Sequence, residues 1–80
     1  MFPEVSSIRL RPLPQREVIR VLKRNGFVAV RVRKHITFKR TTPDGRVLTT
    51  WVPRHREVSL FVLRYIIKHT GKRREEFFGE

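Results

Sequence analysis

The chain has 80 residues, 39% of them hydrophobic, which suits one small folded domain and is too many for a disordered tail. Its 19 Lys and Arg residues outnumber seven Asp and Glu residues, for a formal net charge of +12, and the absence of cysteine excludes disulfides and thiolate chemistry. Apolar runs such as residues 60–63 are far below the roughly 20 residues of a membrane span, and the N-terminus lacks a signal-peptide pattern, so we expect a cytoplasmic protein with no membrane partner.

The first predicted elements are an extended arm and a helix. Residues 1–13 have no clear hydrophobic period, so we expect an N-terminal arm there and a single domain over residues 14–80. Residues Pro14–Asn25 predict a helix with an apolar stripe opposite a basic one. Pro14 suits the first helical position, where its missing N–H would have no partner, and Gly26 is the expected stop.

Three β-strands are predicted next. Phe27–Arg33 alternates, with three valines on one face, and predicts a half-buried strand. His35–Thr41 and Val47–Val52 predict two more strands, and the Pro-Asp-Gly sequence within Thr42–Arg46 predicts a tight turn between them. Because both connections are short, the three strands should form an antiparallel meander.

A second helix is predicted over Glu57–Thr70, ending at Gly71, and residues 72–80 could add a helical turn with Phe77 and Phe78 packed back. The order is therefore helix, three strands, helix. We expect an α+β fold with both helices on one face of a three-stranded antiparallel sheet. The other sheet face would then be open and basic.

The charge distribution points to a polyanionic partner. Residues 1–74 carry all 19 basic residues and only four acids, and 14 of the bases are arginine. Arginine grips phosphate bidentately and stacks on bases, whereas lysine acts as a solvated point charge. A surface selected only for solubility or thermal stability would mix both signs more evenly. We therefore expect a polyanion as the partner.

His35 is the strongest candidate for a catalytic group. It begins a predicted strand, and Arg31, Arg33, Lys34 and Lys39 are close to it in sequence. Such cations disfavour a further positive charge and so favour the neutral imidazole, which can take the proton from a ribose 2′-hydroxyl. The RNA would supply the nucleophile, so no serine, cysteine or metal is required. The alternative for a single histidine on a basic strand is a plain phosphate contact.

The remaining histidines and the tryptophan allow more than one role. His55 follows the third strand and could act as a general acid or phosphate ligand, or be a loop histidine bonded to backbone. His69 lies late in the second helix, where a cation suits the helix dipole. Trp51 could stack on bases or belong to the core. Three histidines without cysteine or His-x-x-x-His spacing predict no metal site, and we expect no small-molecule cofactor.

Four segments of the chain resemble motifs of one known family. Glu17–Phe27, preceded by a proline-rich stretch, resembles the opening helix of that family. Val52–Val58 resembles its "VPRH.EL" stretch, Leu63–Gly71 its "LRSILRQAG" and Arg74–Phe77 its "REEF" tail. The resemblance is to HicA-type mRNA interferase toxins and covers roughly residues 11–78. It implies a double-stranded-RNA-binding-domain-like fold, ribosome-independent RNA cleavage and neutralisation by an acidic HicB-type antitoxin.

One motif departs from the family pattern. The family's catalytic histidine follows a Gly-Ser pair at the start of the second strand, and the matching histidine here is His35. Arg33 and Lys34 occupy the positions of that pair, and Phe61-Val62 replaces the usual Gly-Thr before "LR". Glycine would let the backbone approach a phosphate closely, which long basic side chains do not reproduce.

The sequence thus predicts a toxin that cleaves mRNA without a metal, with His35 as general base. The alternative is a weak or inactive RNA-binding module of the same fold. The predicted RNA-binding residues are Arg31, Arg33, Lys34, Lys39, Arg54 and His55.

Overall fold

The computed structural model of the chain describes residues 11–72 and residue 77. The elements in chain order are β1 Leu13–Pro14, α1 Gln15–Arg24, β2 Val28–Val32, β3 His35–Thr41, β4 Val47–Pro53, β5 Glu57–Val58 and α2 Leu60–Thr70. β2, β3 and β4 form an antiparallel sheet in that order, and the two-residue strands β1 and β5 pair with each other. Residues 1–10 and Phe78, about which the sequence made predictions, lie outside the described residues.

Helix α1 forms because its apolar positions recur on one side. Val18, Val21 and Leu22 are buried, while its arginines and lysine face solvent. Gly26 ends the helical segment with a φ of +90°, as predicted. The predicted start is wrong by one residue, because Pro14 has extended backbone and belongs to β1. The helix therefore begins at Gln15.

The three-strand meander is confirmed, but the regular alternation and half-burial predicted for β2 are wrong. A bulge between Ala29 and Arg31 interrupts the alternation, so the valines do not share one face. Val28 is opposite Lys39, and Val32 is opposite Ile36 on the other side of the sheet. All five residues of β2 are exposed, because β2 is an edge strand and both helices contact β4.

The second helix is shorter than the pattern indicated. Glu57 and Val58, predicted to be helical, form β5 against Leu13 and Pro14. Helix α2 starts only after Ser59, whose hydroxyl accepts a hydrogen bond from the amide of Val62. The predicted stop is confirmed, since Gly71 caps the helix in the left-handed conformation with a φ of 69°.

The core lies between the two helices and one face of the sheet. Phe38 of β3 and Val52 of β4 point towards the helices, where Leu22 of α1 and Leu63 of α2 are fully buried. Phe77 is also buried in this core, as predicted. The fold is α+β with two helices and a three-stranded antiparallel sheet, consistent with a double-stranded-RNA-binding-domain-like architecture.

Candidate nucleic-acid interface

The face of the sheet opposite the core is open and carries basic side chains. Alternation along β3 places His35, Thr37 and Lys39 on this open face, while Ile36 and Phe38 point to the helices. Arg31 of β2 is opposite Thr37 and so belongs to the same face. His35, Lys39 and Arg31 are exposed. The open face therefore presents three of the predicted functional side chains to solvent.

A shallow depression on the open face brings two predicted RNA-binding residues together. It has a volume of about 350 Å³ and is lined by Val30, Arg31, Thr37 and Lys39. The bulge in β2 contributes to this arrangement, because it places Arg31 on the same face as Lys39. Two cations beside a threonine hydroxyl offer suitable hydrogen-bond donors for neighbouring phosphate groups of one strand.

A second basic cluster surrounds His35 at the end of the sheet. Arg33 and Lys34 form the bend between β2 and β3, and the amide of Arg33 donates to the carbonyl oxygen of His35 at 2.9 Å. Arg54 donates through Nη1 to the carbonyl oxygen of Arg33 at 3.2 Å. His55 is exposed two residues beyond Pro53, the strand partner of His35. We call Arg33, Lys34, His35, Arg54 and His55 the bend cluster.

The bend cluster does not require glycine for its backbone. None of the described residues other than glycine has a positive φ, so Arg33 and Lys34 make the bend in ordinary backbone conformations. The replacement of the family's Gly-Ser pair therefore costs no backbone strain here. It does place two long basic side chains beside His35.

Gln15 positions the loop that carries Arg54 and His55. Its side-chain Nε2 donates to the carbonyl oxygen of Pro53 at 2.8 Å, and its backbone amide donates to the carbonyl oxygen of Arg56 at 2.8 Å. The loop is therefore held at both ends by the first residue of α1. Gln15 is not among the predicted site residues, because a glutamine 38 positions from Pro53 carries no local signal of this contact.

The two basic groups are separated along the strand. At about 3.3 Å per residue, the Cα atom of Lys39 lies roughly 13 Å from that of His35. Side chains at that separation do not act on the same phosphate oxygen. The depression formed by Arg31 and Lys39 is therefore a basic site separate from the bend cluster at His35.

Trp51 belongs to a row of rings that begins at His35. The ring centroids of His35 and Trp51 are 4.4 Å apart, those of Trp51 and Tyr65 5.5 Å, and those of Tyr65 and His69 3.9 Å. Trp51 lies on β4, the edge strand next to α2. Through its ring, the open face of the sheet contacts Tyr65 of α2. We call these four side chains the ring row. The sequence left the environment of Trp51 open and gave no signal for the contact with Tyr65.

Two acidic side chains of the described residues pair away from the basic face. Glu17 pairs with Arg20 on α1, and this hydrogen bond lowers the pKa of Glu17. Asp44 pairs with Arg46 and accepts from the Thr42 hydroxyl in the turn between β3 and β4, and the bond from Thr42 lowers the pKa of Asp44. Neither of these two ion pairs of the described residues involves a cation of the depression or the bend cluster.

The described residues contain no group of three or more His, Asp or Glu side chains that could hold a metal ion. Within residues 11–72, neither helix has the length and hydropathy needed to cross a membrane.

Comparison with known families identifies the family of the chain. The family model described as the HicA toxin of bacterial toxin-antitoxin systems matches residues 15–72, which run from the first residue of α1 to just beyond α2. The chain belongs to the HicA toxin family. It is therefore the toxin of a toxin–antitoxin pair, and membership implies an antitoxin partner and, in general, an RNA substrate. No curated protein and no solved structure matches the chain.

Proposed function

We propose that this HicA-family chain is an endoribonuclease that cleaves mRNA with His35 as general base and without a metal ion. The observation that carries the proposal is the position of His35: it is exposed on the open face, directly after the bend formed by Arg33 and Lys34 and on the same face as the basic depression. A general base must be reachable by the substrate and must lie next to groups that hold its phosphate. His35 meets both requirements.

The chemistry needs only the RNA and the side chains present. The imidazole of His35 accepts the proton of a ribose 2′-hydroxyl, and the resulting oxygen attacks the adjacent phosphorus. A bond forms between the 2′-oxygen and phosphorus, and the bond from phosphorus to the 5′-oxygen breaks. The leaving oxygen takes a proton from solvent or from His55. The products are a 2′,3′-cyclic phosphate and a 5′-hydroxyl end.

The basic residues bind the RNA backbone at two places. Arg33, Lys34 and Arg54 bind phosphates at the bend before His35. Arg31 and Lys39 bind flanking phosphates in the depression. Gln15 is a positioning residue, because it acts through the loop that carries Arg54 and His55.

The partner of this surface is an acidic HicB-type antitoxin. The chain has a net charge of +12, and the cations of the open face and the bend cluster attract a negatively charged protein, which excludes RNA by covering the same side chains. Toxin, antitoxin and mRNA would meet in the cytoplasm.

A second candidate function is RNA binding without cleavage. It is favoured by one observation, the presence of Arg33 and Lys34 where the family resemblance leads one to expect Gly-Ser. Replacing both residues by Gly-Ser separates the two candidates. A weakened nuclease should become faster because the backbone can approach the phosphate closely, whereas a binding module should only lose affinity.

The direct test is cleavage of mRNA in excess EDTA by the wild-type protein and by His35→Ala. We expect cleavage by the wild-type protein with cyclic phosphate ends, and a loss of about 100- to 10,000-fold in the variant, as for removal of a general base. Lys23→Ala is the control, because it removes an exposed side chain of α1 that belongs to neither the depression nor the bend cluster. Equal cleavage by wild type and His35→Ala contradicts the assignment of the base, and loss of cleavage in EDTA contradicts the metal-free mechanism.

A further inference from the structure

The ring row begins at His35, but its other three rings have no role in the proposed cleavage chemistry. It starts on the open face, passes Trp51 on the edge strand and continues onto α2 through Tyr65 and His69. Tyr65 is 38% exposed, and Phe61, one helical turn before it, is 83% exposed. The exposed side of α2 therefore presents three rings at a spacing of four residues, and the middle one, Tyr65, contacts Trp51.

Core packing does not account for these rings. The side of β4 that faces the helices carries Thr50 and Val52, whereas Trp51 points to the opposite face. Aromatic surface left in water is unfavourable, and a contiguous patch of it usually marks a binding site. In a domain with so small a core, Phe61 and Tyr65 would add stability if they were buried, yet they lie outside.

The chemistry of the patch favours unpaired nucleobases. Aromatic side chains next to a positively charged groove are the usual features of proteins that bind single strands, because each base can stack on a ring while phosphates contact the cations. In a duplex the bases are stacked on one another and their faces are unavailable. The basic depression and the bend cluster run along the same face from which the ring row starts.

We propose that the ring row, extended by Phe61, is a stacking surface for the bases of single-stranded RNA beside the phosphate at His35. The inference rests on the proposed function for the position of that phosphate. It adds a substrate class, since it makes the toxin specific for unpaired RNA even though its fold is that of a double-stranded-RNA-binding domain. Bases on one side of the scissile phosphate contact Trp51 and Tyr65, while the backbone on the other side reaches Lys39.

Trp51 is the only tryptophan of the chain, so its fluorescence reports on the ring row directly. The probe is a short 2′-O-methyl RNA, which lacks the free 2′-hydroxyl needed for cleavage. We expect this single strand to quench the emission of Trp51 on binding. An oligonucleotide of equal length with abasic sites has the same phosphates but no bases, and it should bind without that quenching. Equal quenching by both oligonucleotides overturns the proposal.

Variants of Tyr65 test the energetic contribution of stacking. Tyr65→Ala should weaken binding of the single strand by about 5- to 140-fold, the range measured for one base–aromatic contact. Tyr65→Phe keeps the ring and should bind like wild type. Binding of the abasic strand and of an RNA duplex should be unchanged in both variants. Because Tyr65 is partly exposed, the fold is expected to tolerate both changes, and far-ultraviolet circular dichroism checks this.

Two other outcomes have distinct meanings. If Tyr65→Ala binds RNA like wild type but no longer binds its purified cognate antitoxin, the ring row is a protein-docking surface and the stacking proposal is wrong. If the single strand quenches Trp51 as expected but wild type and His35→Ala fail to differ in mRNA cleavage, stacking is supported and the proposed catalytic function fails. The two proposals can therefore be refuted separately.

Discussion

Replacement of Lys39 by alanine gives the sharpest test of the open face as the RNA-binding surface. Lys39 is exposed on the open face, and Lys23 is exposed on α1 in the helical layer. Each substitution removes one positive charge and one lysine side chain. The long-range effect on the net charge of +12 is therefore the same in both variants, and only a direct phosphate contact distinguishes them.

The expected salt dependence of RNA affinity follows from the number of cations on the proposed RNA-binding surface. Five lie in the depression or the bend cluster, namely Arg31, Arg33, Lys34, Lys39 and Arg54. At about 0.7 counterions released per phosphate contact on a single strand, five contacts give a slope of log affinity against log salt of about −3.5. Affinity should then fall about 130-fold between roughly 50 and 200 mM salt. Removing the Lys39 contact should bring the slope to about −2.8. Affinity would then fall about 50-fold over the same salt range.

The assay is fluorescence anisotropy of a labelled 2′-O-methyl RNA titrated with wild type, Lys39→Ala and Lys23→Ala over that salt range. We expect Lys23→Ala to keep the wild-type slope. Equal slopes for the two variants, either both unchanged or both reduced, would refute the reasoning, because RNA would then bind through the general charge of the protein rather than through the open face.

Three further predictions concern the frame that supports the site. Gly26→Ala and Gly45→Ala should each lower the free energy of unfolding in urea by about 1–3 kcal/mol, because both glycines have a φ of +90°. Gly26→Ala should cost more, since its Cβ would lie 3.2 Å from Nε of Arg40, whereas nothing lies within 4 Å at Gly45. Ser59→Ala should cost about 1 kcal/mol in the same assay, because it removes the side-chain cap of α2. Asp44→Asn should change the pH dependence of stability. The threonine hydroxyl of its turn lowers the pKa of Asp44 below 3.8 in the folded protein. The carboxylate therefore stabilises the fold above pH 3.8, and this contribution is lost as pH falls through the lower folded pKa.

Each of these predictions has a contrary result. A larger loss for Gly45→Ala than for Gly26→Ala would show that the side chain of Arg40 does not restrict the position. An unchanged unfolding midpoint for Ser59→Ala would show that the cap contributes nothing measurable. A stability difference between wild type and Asp44→Asn that stays constant from neutral pH down through acid pH would show that Asp44 is not stabilised in the folded state.

Local patterns predicted most of the secondary structure because its causes are local. The apolar stripe of α1, the alternation of β3 and the three glycines that end helices or form the turn all act through neighbouring residues. The β2 prediction failed because a bulge depends on pairing with β3, which the alternation of one strand does not reveal. The start of α2 was placed too early for a similar reason, since Glu57 and Val58 pair with β1, more than 40 residues earlier.

The candidate site shows the same division. Charge and spacing were enough to select His35 and its basic neighbours, and alternation correctly placed His35 and Lys39 on one face. Their roles remain predictions. The ring contact between Trp51 and Tyr65 and the hydrogen bonds of Gln15 to the loop after β4 were outside the reach of sequence reasoning, because they join segments far apart in the chain.

The sequence by itself determined the family to which the chain belongs, its strong positive charge and the presence of His35 at the start of a strand. All three depend only on residue type and order. Only the tertiary structure decided which charges share a surface and which rings touch. Those relations come from the bulge in β2, the edge position of β4 and the packing of α2 beside it. Strand pairing and helix packing bring distant residues together through contacts that have no counterpart in local sequence.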